Sequence, residues 1–212
     1  MKLVCISDTH SRHQNAPGLP AGDVLIHAGD CTGSGSLESL RDFLEWFGSH
    51  PHSHKLLVAG NHDYCFERES VQARQLCQEH GVTYLEDDQV IIDGVVFYGS
   101  PWTPRFRDMA FNADEDIMFD IRSRIPESTQ VLITHGPSWR ILDYVPGTGE
   151  HAGCFPLSKR LDELQNLKAH ICGHIHEGYG SAMRESDGVW FVNASSCNGR
   201  YQPVNPPIVI EI

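Results

Sequence analysis

Five short apolar runs in this chain each break into the same kind of polar cluster, and that regularity limits the fold more than any other feature. Lys2–Ser7 runs into Asp8-Thr9-His10, Asp23–Ala28 into Gly29-Asp30, and Lys55–Ala59 into Gly60-Asn61-His62-Asp63. Gln130–Thr134 runs into His135-Gly136-Pro137, and Ala169–Cys172 into Gly173-His174-Ile175-His176. Each run is rich in Val, Ile and Leu and bounded by turn residues, which is the pattern of a buried strand. One Asp or His at a strand end is an ordinary turn former; five clusters need a common cause. Open α/β sheets bind ligands outside the carboxyl ends of their strands. If the five strands are parallel neighbours, all five clusters converge on one crevice.

The rest of the chain supports an α/β class. Further strands are expected at Gln89–Ile92, Val95–Tyr98, Val189–Val192 and Ile208–Ile212, with Asp93-Gly94 a strong hairpin signal between the first two. Ser36–Gly48 places Leu37, Leu40, Phe43, Leu44 and Phe47 on one helical face. Helices are also expected at Glu69–His80, stopped by Gly81, at Glu115–Ile125, stopped by Pro126, and at Pro156–Leu167. Strands alternating with helices give α/β. With 212 residues and no repeat or linker, residues 1–212 are expected to form one domain.

The residue types at the strand ends specify the chemistry. Asp8, His10, Asp30, Asn61, His135, His174 and His176 offer oxygen and imidazole ligands without a thiolate, a set that suits divalent Mn, Fe or Zn. Seven groups are too many for one tetrahedral ion but fit two adjacent ions. A pair roughly 3.5–4 Å apart clamps the attacking and leaving oxygens of phosphoryl transfer. Asp30, alone on its strand end, is the natural bridge. Side chains at i and i+2 of an extended segment face the same way, which would bring Asp8 together with His10 and His174 with His176. Glycines 29, 60, 136 and 173 let the backbone turn away.

The formal charge of −12 argues against a nucleic-acid polymer or an anionic membrane as partner. A chain this acidic needs concentrated positive charge to handle phosphate esters, and metal dications supply it. Seven cysteines with no C-x-x-C read as reduced thiols. Together with the lack of a long apolar stretch at the N-terminus, they make a cytoplasmic location the expectation. The sequence leaves the oligomeric state open.

The ordered set Asp-Thr-His, Gly-Asp, Gly-Asn-His-Asp, Thr-His-Gly and Gly-His-Ile-His resembles the calcineurin-like metallophosphoesterase superfamily. SDTHSR, YGSPWTPRF, THGP, GHIHEGYG, NASSC and QPVNPP resemble its MPPED-type, class III phosphodiesterase-like branch. The resemblance implies a two-sheet β-sandwich flanked by helices, a four-layer α/β/β/α fold. Strand and helix pattern alone does not separate that from one doubly wound sheet.

The resemblance also implies a dinuclear centre. The first metal would take Asp8, His10, Asp30 and His176, and the second Asp30, Asn61, His135 and His174. A metal-bridging hydroxide would attack phosphorus. His62 would be a catalytic imidazole outside the ligand set, and Asp63 would orient it. Protein phosphatases of the superfamily carry an arginine soon after Gly-Asp; here Cys31-Thr32-Gly33-Ser34-Gly35 follows. The expected substrate is accordingly a small phosphate diester such as a cyclic nucleotide. The alternatives are a phosphomonoesterase of the same fold and a low-turnover nucleotide-binding or scaffold protein. The last would be marked by a lost ligand, and His174 is present.

Several residues stay outside this set. His50, His52 and His54 are expected in an exposed turn, and His27, His80, His151 and His170 in core or surface. Cys31 and Cys172 flank ligand positions and are expected to pack as small apolar groups. Trp102, Arg105, Arg107 and Tyr179 are open between a substrate wall and a structural corner.

Overall fold

Neighbouring residues of the same strand belong to different cores. Leu3 and Cys5, Val24 and Ile26, and Leu56 and Val58 share one buried cluster with Phe97, Val131, Ile133, Ala169, Ile171 and Val192. The residues between them, Val4, Ile6, Leu25 and Leu57, pack instead with Leu40, Phe43, Leu44 and Phe47. Leu132 and Phe191 do the same on the far side with Met118, Ile121, Leu157 and Leu161. Because side chains alternate across a pleated strand, a run that is apolar at every position must be covered on both faces. Two stacked sheets with helices outside satisfy that for all of these strands at once. Each fully buried Val, Leu, Ile or Phe contributes about 1.5–3 kcal/mol.

The computed structural model describes residues 1–212. Numbered in chain order, the strands of the two large sheets are β1 (Lys2–Ile6), β2 (Val24–His27), β3 (His54–Leu57), β4 (Thr83–Tyr84), β5 (Asp88–Ile92), β6 (Val95–Ser100), β7 (Val131–Thr134), β8 (Ala169–Cys172), β9 (Gly180–Arg184), β10 (Val189–Asn193) and β11 (Ile208–Glu211). One sheet has the order β11-β1-β2-β3-β4, with only β11 antiparallel to its neighbour. The other has the order β9-β10-β8-β7-β6-β5, with a parallel centre and an antiparallel strand at each edge. The helices are α1 (Leu37–Ser49), α2 (Cys65–Arg68), α3 (Ser70–Glu79), α4 (Glu115–Ser123) and α5 (Phe155–Glu163). α1 and α3 cover the first sheet; α4 and α5 cover the second. The mixed-sheet α/β sandwich therefore replaces the single doubly wound sheet left open by the sequence.

Register brings the polar clusters level. Ile6 lies opposite His27, and His27 opposite Leu57, so β1, β2 and β3 end at one height. β7 and β8 end together in the second sheet. A bridge between Ser7 and Ser195 ties the sheets at that end.

Some local expectations fail for identifiable reasons. β9 escapes sequence reading because this edge strand is mostly exposed and has no apolar alternation. His52 is buried rather than in an exposed turn, its Nε2 lying 2.9 Å from the Pro20 carbonyl. All seven cysteines are buried and unpaired. No helix is long and apolar enough to cross a membrane.

His27 and His170 are buried, neutral supports. His27 packs against Phe43 and Phe47, accepts the Gly29 N–H at Nδ1, and so carries its proton on Nε2, 3.0 Å from Thr9 Oγ1. His170 Nε2 meets Thr134 Oγ1 at 2.8 Å, and that hydroxyl donates to the Gly136 carbonyl. Burial pushes both imidazoles down to about 3, the Arg122 charge adding to the effect at His170. Between the ordinary value of 6.5 and about 3 the unfolded chain takes up protons that the folded chain refuses. This contribution to stability is therefore complete above about pH 6.5 and is lost as pH falls toward 3. The denaturation midpoint is expected to fall between pH 7 and 4.5, and His170→Gln, which cannot titrate, to flatten the decline. An equally steep decline in the variant would contradict the assignment.

Candidate metal centre

The backbone leaves the strands abruptly where the polar clusters begin. Asp8, His10, Asp30 and His174 have φ of 51°, 44°, 56° and 68°, in the left-handed region that side chains other than glycine's rarely adopt. Each such residue costs about 1–3 kcal/mol and persists only where its surroundings enforce it. Asp8 and His10 do face one site, but through this sharp turn and not through the pleat of an extended segment. Gly60 and Gly173 permit close approach: a Cβ on Gly60 would strike Asp30, and one on Gly173 would strike Ser7 and Asp8.

Asp8 is fully buried, and its two oxygens have different duties. Oδ2 accepts from Ser7 Oγ (2.5 Å), Ser195 Oγ (2.9 Å) and the His174 N–H (2.9 Å). Oδ1 shares the His174 N–H at 3.2 Å and faces His176 Nε2 at 3.4 Å and His10 Nε2 at 3.9 Å. Asp30 divides in the same way. Its Oδ1 accepts the His62 N–H at 2.7 Å, while Oδ2 lies 3.7 Å from His10 Nε2 and 3.4 Å from His135 Nε2. Asn61 Oδ1 approaches His135 Nε2 at 2.9 Å.

Three sets of three have ligand atoms within 4.8 Å of one another: Asp8–His10–His176, Asp30–His135–His174, and between them His10–Asp30–His62. The Asp30 Oδ2 contacts connect the first two. His174 and His176 thus serve opposite sets although only Ile175 separates them.

The imidazoles are oriented from behind. His135 Nδ1 donates to the Ala28 carbonyl (2.9 Å) and His176 Nδ1 to the Asn198 carbonyl (3.0 Å), so both turn Nε2 inward. Burial would lower both, but Asp30, then Asp8, outweigh it at His135 and the Asp8 hydrogen bond and charge outweigh it at His176. Both are pushed up to about 9. Burial holds His10 below its ordinary value; burial and the His135 charge bring His174 down to about 4. Burial would raise Asp8 and Asp30, but His176 at Asp8 and His135 at Asp30 outweigh it and hold both well below the carboxylate range.

Each of the first two sets therefore pairs one neutral imidazole with one that keeps an extra proton beside a carboxylate. His10 Nε2 and His176 Nε2 face each other at only 3.2 Å. A place that holds protons on two of its imidazoles demands positive charge, and its hard oxygen and borderline nitrogen donors, once deprotonated, fit divalent cations.

His62 borders the centre, its half-buried ring edge-on to His10 at 4.8 Å. Its Nδ1 lies 3.1 Å from the Gly33 carbonyl, to which it donates. Asp63 does not orient it. Asp63 Oδ1 accepts from the Thr32 N–H (2.9 Å) and hydroxyl (2.7 Å), and Oδ2 from the Gly60 N–H (2.8 Å) and the Cys31 N–H (3.2 Å). Successive side chains diverge here: His62 faces the cleft, and Asp63 faces back into the loop that carries Asp30. Tyr179 is likewise structural, its hydroxyl donating to the Pro206 carbonyl at 2.9 Å.

The family model for calcineurin-like phosphoesterases matches residues 1–178. Metallophosphoesterase domain-containing protein 1 of Homo sapiens is 39% identical over 234 residues, spanning 100% of this chain and 71% of that protein. The chain belongs to the calcineurin-like phosphoesterase family. Among solved structures, an archaeal phosphodiesterase aligns with a TM-score of 0.53 at 15% identity, covering 100% of this chain and 93% of the other. A dimetal phosphatase from Danio rerio aligns with a TM-score of 0.55 at 10% identity, covering 91% and 86%. At those identities the likeness is one of fold.

Ser7, Ser195 and the carbonyls of Gly33, Ala28 and Asn198 are missed in a reading of single residues. Ser7 and Ser195 fall within the SDTHSR and NASSC segments, but a serine or carbonyl that orients a ligand has no periodicity of its own. Asp63→Asn is expected to destabilise the chain by about 3 kcal/mol or more, since several donors lose a buried anion. For a chain this size that is roughly 6–12 °C in Tm. Lost turnover with an unchanged Tm would restore Asp63 to a role beside His62.

Proposed function

We propose that this chain is a two-metal phosphodiesterase for small phosphate diesters, cyclic nucleotides among them. The observation that supports it most directly is the position of Asp30 Oδ2 between His10 Nε2 and His135 Nε2, one carboxylate oxygen common to two ligand sets. Asp8, His10, Asp30 and His176 would hold one cation, and Asp30, Asn61, His135 and His174 the other. Mn, Fe and Zn all suit these donors. When bound, the pair supplies Lewis-acid charge at the phosphoryl oxygens and ionises the attacking water.

The chain's own residues do the rest. Ser7 and Ser195 fix Asp8, and the His62 N–H fixes Asp30, so both carboxylates present a chosen oxygen. His62 is held through Nδ1 by Gly33, which leaves Nε2 for the substrate. As the water oxygen bonds to phosphorus in line, the opposite P–O bond breaks and its electron pair goes to the ester oxygen. A proton from His62 Nε2 then neutralises that oxygen, and the proton released by the water restores His62 through solvent. Residues beyond the family match, 179–212, complete the centre through Ser195 and Asn198, so we read 1–212 as one working unit.

A cleft of about 530 Å³ opens beside these residues, a size suited to a nucleotide-like ester. The absence of an arginine after Gly29-Asp30 and the charge of −12 favour a small diester over a phosphoprotein or polynucleotide. Mn-loaded protein is expected to hydrolyse bis-p-nitrophenyl phosphate with a higher kcat/KM than p-nitrophenyl phosphate. The reverse order would favour a phosphomonoesterase. His62→Asn is expected to keep its metal and lose roughly 10²–10⁴-fold in kcat, more for a ribose leaving group than for p-nitrophenolate. Loss of metal in that variant would make His62 a ligand.

A further inference from the structure

The cleft has two arginines on its wall, and they are not equivalent. Arg105 is spoken for: its Nε donates to Asp114 Oδ1 at 2.5 Å and its Nη2 to Oδ2 at 3.4 Å. Arg107 has no carboxylate within ion-pair distance; its guanidinium lies over the Phe106 ring, 4.9 Å from the centroid. Trp102 turns away, with its Nε1–H donating to Asp87 and its ring packed on Phe111. Arg107 is thus an exposed cation on the cleft wall with no carboxylate to neutralise it.

Tyr201 lines the same cleft. Its ring stands edge-on to His10 at 4.9 Å and to His176 at 5.1 Å. The residue is 44% exposed, and its hydroxyl has no hydrogen-bond partner in the protein. A tyrosine hydroxyl is an O–H donor.

Both residues are held in left-handed backbone, Arg107 at φ 59° and Tyr201 at φ 57°. For side chains of this bulk that conformation is strained, and such strain collects at ligand clamps. The Tyr201 loop is anchored where it must be. Asn198 donates its N–H to the Gln202 carbonyl (2.9 Å) and accepts the Arg200 and Gln202 N–H groups at Oδ1 (2.9 and 3.1 Å), while its own carbonyl orients His176.

We infer that Arg107 and Tyr201 are the anion-binding pair of this cleft: guanidinium and phenol donate to the non-bridging oxygens of the substrate's phosphoryl group, and Arg105 does not. The inference rests on the phosphoesterase reading of the site. It supplies from two loops the clamp that the segment after Gly29-Asp30 lacks.

Inorganic phosphate is the probe, measured by calorimetry on Mn-loaded protein, with metal content determined for each variant. Arg107→Gln is expected to weaken phosphate binding about 10–100-fold, as for loss of a charge-assisted bond, and Tyr201→Phe about 3–10-fold, as for a neutral one. Arg105→Gln is expected to stay within about twofold, and all three to keep their metal. Tyr201→Phe retains the ring against His10 and His176, so phosphate binding equal to the parent's would reduce the tyrosine to a shield and overturn its part. Unchanged binding in Arg107→Gln, or an equal loss in Arg105→Gln, would overturn the pair. Turnover separates the two claims. A parent that binds phosphate through Arg107 yet hydrolyses no ester refutes the phosphoesterase reading alone. A parent that turns over esters while Arg107→Gln binds phosphate normally refutes the pair alone.

Discussion

Asp30 is a buried carboxylate at the seam of two sheets, and its oxygens face in opposite structural directions. Oδ1 is held by the backbone of the neighbouring strand-end loop; Oδ2 is approached by imidazoles from both sheets, His10 from the first and His135 from the second. Burying a carboxylate costs several kcal/mol unless hydrogen bonds and opposite charge compensate it. With Asp8 alongside, two anions share one desolvated place. Their charge pushes His135 and His176 up to about 9, which marks the place as one that demands positive charge.

The sandwich exists at this seam because its inner core is continuous. Leu3, Ile26 and Val58 of one sheet interlock with Val131, Ile171 and Val192 of the other, which fixes the distance between the strand ends. Polar ties then close the mouth: Ser7 pairs with Ser195, His135 reaches the Ala28 carbonyl, and the His174 N–H reaches Asp8. Every tie runs between sheets. A shift of one sheet against the other would break all of them together, so the packing of the core and the geometry of the centre are one mechanical problem.

Much of this was legible in the sequence. The five strand ends, the hairpin at Asp93-Gly94 and the helix faces follow from apolar periodicity and turn chemistry, which are local. The seven ligand-type residues were visible because Asp, His and Asn are conspicuous after a Val-rich run. What local pattern does not carry is the partner of each group. The reason Asp8 faces His10 lies in left-handed backbone, not in the pleat. Asp63 looked like an orienting acid because it follows His62, but adjacent residues diverge, and its oxygens brace Cys31, Thr32 and Gly60. Tyr201 and Ser195, far along the chain, enter the centre only through the antiparallel and crossover connections of the second half.

The central claim is that one buried carboxylate is shared by two cations. It is tested most directly by titrating metal-stripped protein with Mn(II) and recording electron paramagnetic resonance at each addition. Saturation is expected at two ions per chain, with the spectrum of an exchange-coupled pair, as for ions roughly 3.5–4 Å apart with a common ligand. Saturation at one ion, or two ions with uncoupled spectra, would contradict the claim.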